Sequence, residues 1–204
     1  MKLILARHGE TSLNKSGRIQ GVNLDPLNQT GRRQAHALAD ALKRELPFTL
    51  YTSPIPRATE TAQVIAGALA LTPETLEDLK EADAGELEGL TGAQMRERFP
   101  AFADLWTADS GTAQMPSGES LTQVQERAWR SVGLMQERHQ DQVVVAVTHN
   151  FVVQTIICKV LQVPIHTSRR FRQDLGSITR LELAEERSVL VSLNETLHLQ
   201  GIDA

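Results

Sequence analysis

Residues 1–14 read MKLILARHGETSLN, and the fold turns on the join between Leu3-Ile4-Leu5 and Arg7-His8-Gly9-Glu10. So short an apolar run, broken by a turn, predicts a strand covered on both faces whose carboxyl end meets water or a ligand. An arginine and a histidine side by side at that end are costly to bury unless an anion compensates them. The design recurs: VVVAV at 143–147, the most strand-like run in the chain, ends in Thr148-His149, and FTLYTS at 48–53 leads through Ser53 to Arg57.

Helical periods separate these strands. Ala35, Leu38, Ala39, Leu42 and Leu46 share one face, with Thr30 as the predicted N-cap. Pro56 opens a second helix carrying Ala58, Ala62, Ile65, Ala66 and Leu69, and a short strand is expected near Glu74 to Glu77. Leu121, Val124, Ala128, Val132 and Met135 form a long helix, and Phe151 to Val163 an apolar one stopped by Pro164. SITRLEL and SVLVSLN predict a closing hairpin. This alternation argues for an α/β fold with a mainly parallel sheet. Segment 91–117, with Phe99, Phe102, Leu105 and Trp106 interrupted by Pro100 and by DSGTAQMPSG, reads as a small helical cap within a single domain spanning 1–204.

Bulk composition narrows the chemistry. A formal charge of −4 supplies no basic field, so nucleic acid and anionic membrane are excluded as expected partners and any anion site must be local. The one cysteine, Cys158, lies in an apolar stretch and cannot form an internal disulfide, which fits a reducing compartment. The first apolar run is too brief for a signal segment and no later run is long enough to span a bilayer, so the cytoplasm is the expected location.

In open α/β sheets ligands gather beyond the carboxyl ends of the strands. There Arg7, His8, Arg57 and His149 arrive from three separate strands. Singly, each has a bland explanation, as a solvated arginine or a histidine capping a carbonyl. Together, guanidinium forks and a helix N-terminus after His149 make a cage suited to a phosphoryl group.

Arg7-His8-Gly9-Glu10-Thr11, Asn14, Gln20-Gly21, Leu27 with Gly31, Ser53 with Arg57-Ala58 and Thr61-Ala62, Glu81 ahead of GELEG, and Thr148-His149 resemble, in order over nearly the whole chain, the histidine phosphatase superfamily, the phosphoglycerate mutase-like proteins. The resemblance implies a six-stranded mixed sheet flanked by helices, no metal or other cofactor, and a phosphohistidine intermediate. Carried over residue by residue, it makes His8 the nucleophile, Glu81 the proton donor, Arg7, Arg57 and His149 the phosphoryl ligands, and Asn14 and Gln20 supporting contacts. The family commonly has glycine after the second histidine, where this chain has Asn150. If that site needs positive φ, asparagine is the least costly replacement; its amide is then a candidate phosphate or substrate contact.

The chemistry is consistent without the family. A neutral His8 attacks phosphorus only if its other ring nitrogen donates elsewhere, while guanidinium groups and a protonated His149 meet the equatorial charge. For Glu81, nearby cations lower the pKa and burial raises it, and the sequence leaves that contest open. Glu10 reads as a loop residue serving turn donors, and His36, His139, His166 and His198 as structural or solvated. No H-x-H, H-x-x-x-H, C-x-x-C, G-x-S-x-G or P-loop pattern occurs, which argues against metallohydrolase, serine hydrolase and nucleotide kinase chemistry. The expected partner is a small-molecule phosphate monoester; oligomeric state is not encoded in any visible pattern. Two alternatives stay open, a phosphoglycerate mutase-type transferase and a silent phosphate-sensing module.

Overall fold

A computed structural model describes residues 1–202. The chain runs β1 (Lys2–Arg7), α1 (Ser12–Lys15), α2 (Gln29–Leu42), β2 (Thr49–Thr52), α3 (Pro56–Leu69), β3 (Pro73–Thr75), α4 (Gly92–Arg98), α5 (Pro100–Ala108), α6 (Leu121–Arg138), β4 (Val143–Thr148), α7 (Asn150–Leu161), β5 (Ile178–Leu183) and β6 (Ser188–Glu195), with short 3-10 turns between. The strands form one six-stranded sheet in the order β3-β2-β4-β1-β5-β6. β3, β2, β4 and β1 are parallel neighbours, and β5 and β6 close the sheet antiparallel as the expected hairpin.

β1 and β4 are central, and their apolar runs are buried on both faces because helices cover both. Alternate residues Ile4, Ala6, Leu50, Val145 and Val147 pack against Leu38 and Leu42 of α2 and Ala58, Ala62 and Ile65 of α3. The other alternation, Leu3, Leu5, Tyr51, Val144 and Ala146, meets Val124, Val132 and Met135 of α6 and Val153 and Ile157 of α7. Each fully buried Val, Leu, Ile or Met among them contributes about 1.5–3 kcal/mol. No helix among the described residues is long and apolar enough to cross a membrane.

The structure corrects several boundaries. α2 is capped by Asn28, whose Oδ1 accepts from Gly31 N at 2.8 Å, and not by Thr30. Asn28 N and Nδ2 also donate to Glu10, so a tertiary contact starts the helix two residues early. Leu46 lies past the helix end in a left-handed conformation and is 82% exposed. β3 is centred slightly earlier than expected, and α7 stops at Leu161 because Gln162 turns to φ 55°. Segment 91–117 folds as α4, with a Thr91–Gln94 capping box, and α5, with Pro100 in its first turn.

Candidate active site

Register builds the site. Arg7 lies opposite Thr148 across β1 and β4, and His8 N donates to Thr148 O at 3.0 Å, so the next residues, His8 and His149, meet with ring centroids 5.0 Å apart. The chain turns at Gly9, where a Cβ would sit 2.4 Å from Gly31 O; only glycine lets the α2 start approach so closely. Thr61 of α3 secures the turn by accepting from Gly9 N at 3.2 Å.

His8 Nδ1 lies 2.7 Å from Gly9 O, which assigns the proton to Nδ1 and leaves Nε2 as the lone-pair nitrogen. Arg57 Nε donates to that Nε2 at 3.2 Å. His8 is only 2% exposed, so this strand end meets a pocket and not open water. Burial, then the charges of Arg57 and Arg7, hold its pKa well below the usual 6.5. Arg57 is itself fully buried, its other nitrogens donating to Asn23 O at 3.1 Å and Gly21 O at 2.6 Å. Burial pulls its pKa down to about 10 against the opposing carboxylates of Glu81 and Glu88, which leaves it charged at neutral pH.

Arg7 donates through Nη1 to Gln173 O, while its buried Nε has no partner. His149 Nε2 pairs with Ser53 Oγ at 2.8 Å, and its buried Nδ1 is likewise unpartnered. Burial and the neighbours Arg57 and His8 push the His149 pKa well below 6.5, so with these groups alone the ring is neutral and not the expected cation. Orphaned buried polar atoms on two of the four convergent side chains suit a ligand that brings several oxygens.

Glu81 sits across from them, held by Ala82 N at 2.9 Å and by Phe151 N, near the start of α7, at 3.2 and 3.3 Å. Burial outweighs these donors and the nearby arginines and raises its pKa, which decides the contest left open by sequence. Asn14 and Gln20 converge on Thr11: Asn14 closes the α1 capping box, and Gln20 Oε1 accepts from Thr11 Oγ1 at 2.9 Å while Nε2 donates to Asn23. Asn150 opens α7 and is not among the residues of positive φ, so the backbone reason considered for asparagine does not apply. Its side chain matters instead, because it lines the pocket.

That pocket has a volume near 340 Å³. Arg7, His8, Asn14, Gln20, Glu81 and Asn150 line its floor, while Arg57 and His149 lie buried behind. Met95, Phe102, Trp106 and Met115 from segment 91–117, with Ile19 and Phe151, form its apolar wall. Arg18 also faces it; sequence reading missed this residue because nothing local marks it, and a bridge between Arg18 and Thr91 brings it there. Gln173, which fixes Arg7 through a backbone carbonyl, carried no sequence signal either. Glu10, bonded to Asn28, and His139, bonded to Tyr51, serve structure as expected. Among the described residues no group of three or more His, Cys, Asp or Glu is arranged to hold a metal.

A Phosphoserine phosphatase 1 from Hydrogenobacter thermophilus is 34% identical over 98% of this chain and 94% of its own length. A metal-independent phosphoserine phosphatase from Arabidopsis thaliana is 31% identical over 98% of this chain and 84% of its own. A probable phosphoglycerate mutase, GpmB, from Yersinia pestis is 28% identical over 98% and 95%. Among solved structures, Bacillus stearothermophilus YhfR superposes with a TM-score of 0.91 at 28% identity, covering 98% of this chain and 99% of that one. The sequence profile of the histidine phosphatase superfamily (branch 1) matches residues 3–196, and the chain belongs to that family.

Proposed function

We propose that this chain hydrolyses small phosphate monoesters through a phosphohistidine on His8. The observation that carries this reading is the His8 tautomer: Nδ1 is tied to Gly9 O, and Nε2 is held as a buried, neutral lone pair beside Arg57. Nε2 attacks phosphorus in line as the bond to the leaving oxygen breaks, and Glu81, whose protonated form burial favours, gives that oxygen its proton. Water then attacks the phosphorus, Glu81 carboxylate takes its proton, and the N–P bond electrons return to Nε2. Arg7 and Arg57 meet the equatorial oxygens, and the incoming dianion favours protonation of His149 at its unpartnered Nδ1. Arg and His donors thus supply the charge stabilisation, with no metal in the scheme.

Asn14, Gln20 and Asn150 border the phosphoryl site as supporting contacts. Segment 91–117 acts as a cap within one domain, and its Met, Phe and Trp wall suits the apolar part of an organic leaving group. The net negative charge supports a small-molecule substrate over a polyanion, and the buried lone thiol of Cys158 supports work in the reducing cytoplasm. Rapid mixing with substrate followed by alkaline quench tests the scheme: an acid-labile, alkali-stable phosphoryl group is expected on wild type and none on His8→Ala. Turnover by His8→Ala at wild-type rate would remove the covalent step.

A further inference from the structure

Outside the pocket, one buried arginine has its whole donor set directed around the Glu81 loop. Arg127 projects from the first half of α6 and is 8% exposed. Its Nη1 donates to Asp78 O at 2.9 Å and Lys80 O at 2.6 Å, and its Nη2 donates to Glu81 O at 2.9 Å. The remaining donors go to Glu119, Nε to Oε1 at 2.9 Å and Nη2 to Oε2 at 2.8 Å. All five guanidinium N–H groups are therefore used. Glu119 completes the clasp on the far side of Glu81, its Oε2 accepting from Asp83 N at 2.9 Å and its own N donating to Asp83 O at 2.8 Å. A Cβ on Gly118 would come 2.2 Å from Asp83 O, so the segment before α6 is pressed directly onto this loop.

We infer that Arg127, braced by Glu119, is a positioning residue that fixes the backbone of residues 78–83 so that the Glu81 carboxyl faces the leaving group. This rests on the acid role proposed for Glu81. Fold stability alone does not account for the arrangement, because a buried ion pair is commonly replaceable by apolar side chains without loss. What apolar side chains cannot do is collect the carbonyls of residues 78, 80 and 81 onto one planar fork. The Glu81 carboxyl is itself held by Ala82 N, so a shift of that backbone displaces the acid.

The test is the dependence of rate on leaving group in Arg127→Met, Arg127→Lys and Glu119→Gln, each alone and combined with Glu81→Gln. Aryl phosphates with good leaving groups do not need the acid; alkyl phosphates do. Arg127→Met should lose about 10²-fold on an alkyl phosphate, the scale for misplacing a catalytic group by about 1 Å, and only a few-fold on p-nitrophenyl phosphate. Vanadate affinity should be unchanged, and Glu81→Gln/Arg127→Met should be no slower than Glu81→Gln on either substrate. Arg127→Lys, unable to span three carbonyls, should fall between. If Arg127→Met does not fold, Glu119→Gln, which keeps its shape, should show the same leaving-group signature at smaller size.

Equal losses on alkyl and aryl substrates, or losses that multiply in the double variant, would reduce Arg127 to a structural support. If Glu81→Gln itself loses equally on both, the acid assignment fails and the positioning role falls with it. A leaving-group signature in Glu81→Gln but not in the Arg127 and Glu119 variants overturns the positioning role alone.

Discussion

The Nε of Arg57 lies 3.2 Å from the Nε2 of His8, so a cation rests against the lone pair assigned to attack. This pairing works in two directions. It disfavours protonation of His8, together with burial and Arg7, and in the proposed mechanism it sets a guanidinium beside the transferring phosphoryl group.

The first consequence is a pH dependence. The neutral imidazole is the reactive form, and its pKa is depressed, so it persists below pH 6.5 and is lost only as pH falls through the depressed value. NMR of ring-labelled histidine should show His8 titrating well below 6.5 in wild type and closer to 6.5 in Arg57→Gln; a wild-type value at or above 6.5 would contradict the geometry. Stability is linked. Unfolded histidines take up protons below about 6.5 that native His8 and His149 refuse, so stability without ligand should fall as pH drops below that value. The slope is up to about 1.4 kcal/mol per pH unit for each ring, and urea midpoints should fall less steeply with acid in His149→Gln.

Glu81 is displaced the other way. Burial raises its pKa above the ordinary 4.5, so its protonated form extends to higher pH than that of a surface glutamate. Glu81→Gln should slow alkyl phosphates by about two to four orders of magnitude, the usual range for a general acid, and aryl phosphates far less. Equal losses on the two classes would mean that the carboxylate only supports the pocket.

Much of this was legible in the sequence because strand ends declare themselves. LILA read as a buried strand and VVVAV as a central one, and their parallel pairing in register brings the residues beyond them, His8 and His149, together. What was not legible came from tertiary contacts. Asn28 displaced Thr30 as the cap because Glu10 holds it, and Leu46 kept the helical period yet fell past the end of the helix. The opposed effects on Glu81 were both foreseeable, but their balance depends on burial, which no local pattern reports. Nothing in the sequence marks Arg127, since the three carbonyls it collects leave no trace there.

Activity should persist in excess chelator, because in the proposed scheme Arg7, Arg57 and a His149 protonated only as the phosphate dianion binds supply the charge that a metal supplies in other phosphatases. Vanadate should inhibit strongly as a mimic of the five-coordinate phosphorus. Arg57→Ala should weaken vanadate binding markedly, since it removes the fork beside Nε2. Strict dependence of turnover on added magnesium or zinc would overturn the scheme.

Phosphatase and mutase differ in what happens to the phosphohistidine. A mutase must exclude water from it, let the substrate turn, and grip a second anionic group while doing so. Here the basic residues of segment 91–117 are Arg96 and Arg98, both exposed on α4, and the segment has no tyrosine. Beyond Arg7 and His8, Arg18 is the basic side chain among the described residues lining the pocket, and its Nη1 is engaged by Gly89 O at 2.6 Å. The rest of the wall is mainly apolar, formed by Met95, Phe102, Trp106, Met115 and Phe151. Such a pocket offers a second carboxylate or phosphate little to hold, so the intermediate should partition to water. With 3-phosphoglycerate and added 2,3-bisphosphoglycerate, phosphate release should exceed formation of 2-phosphoglycerate. Isomerisation that outpaces phosphate release would make this chain a mutase, with Arg18 the first residue to substitute in locating the second anion.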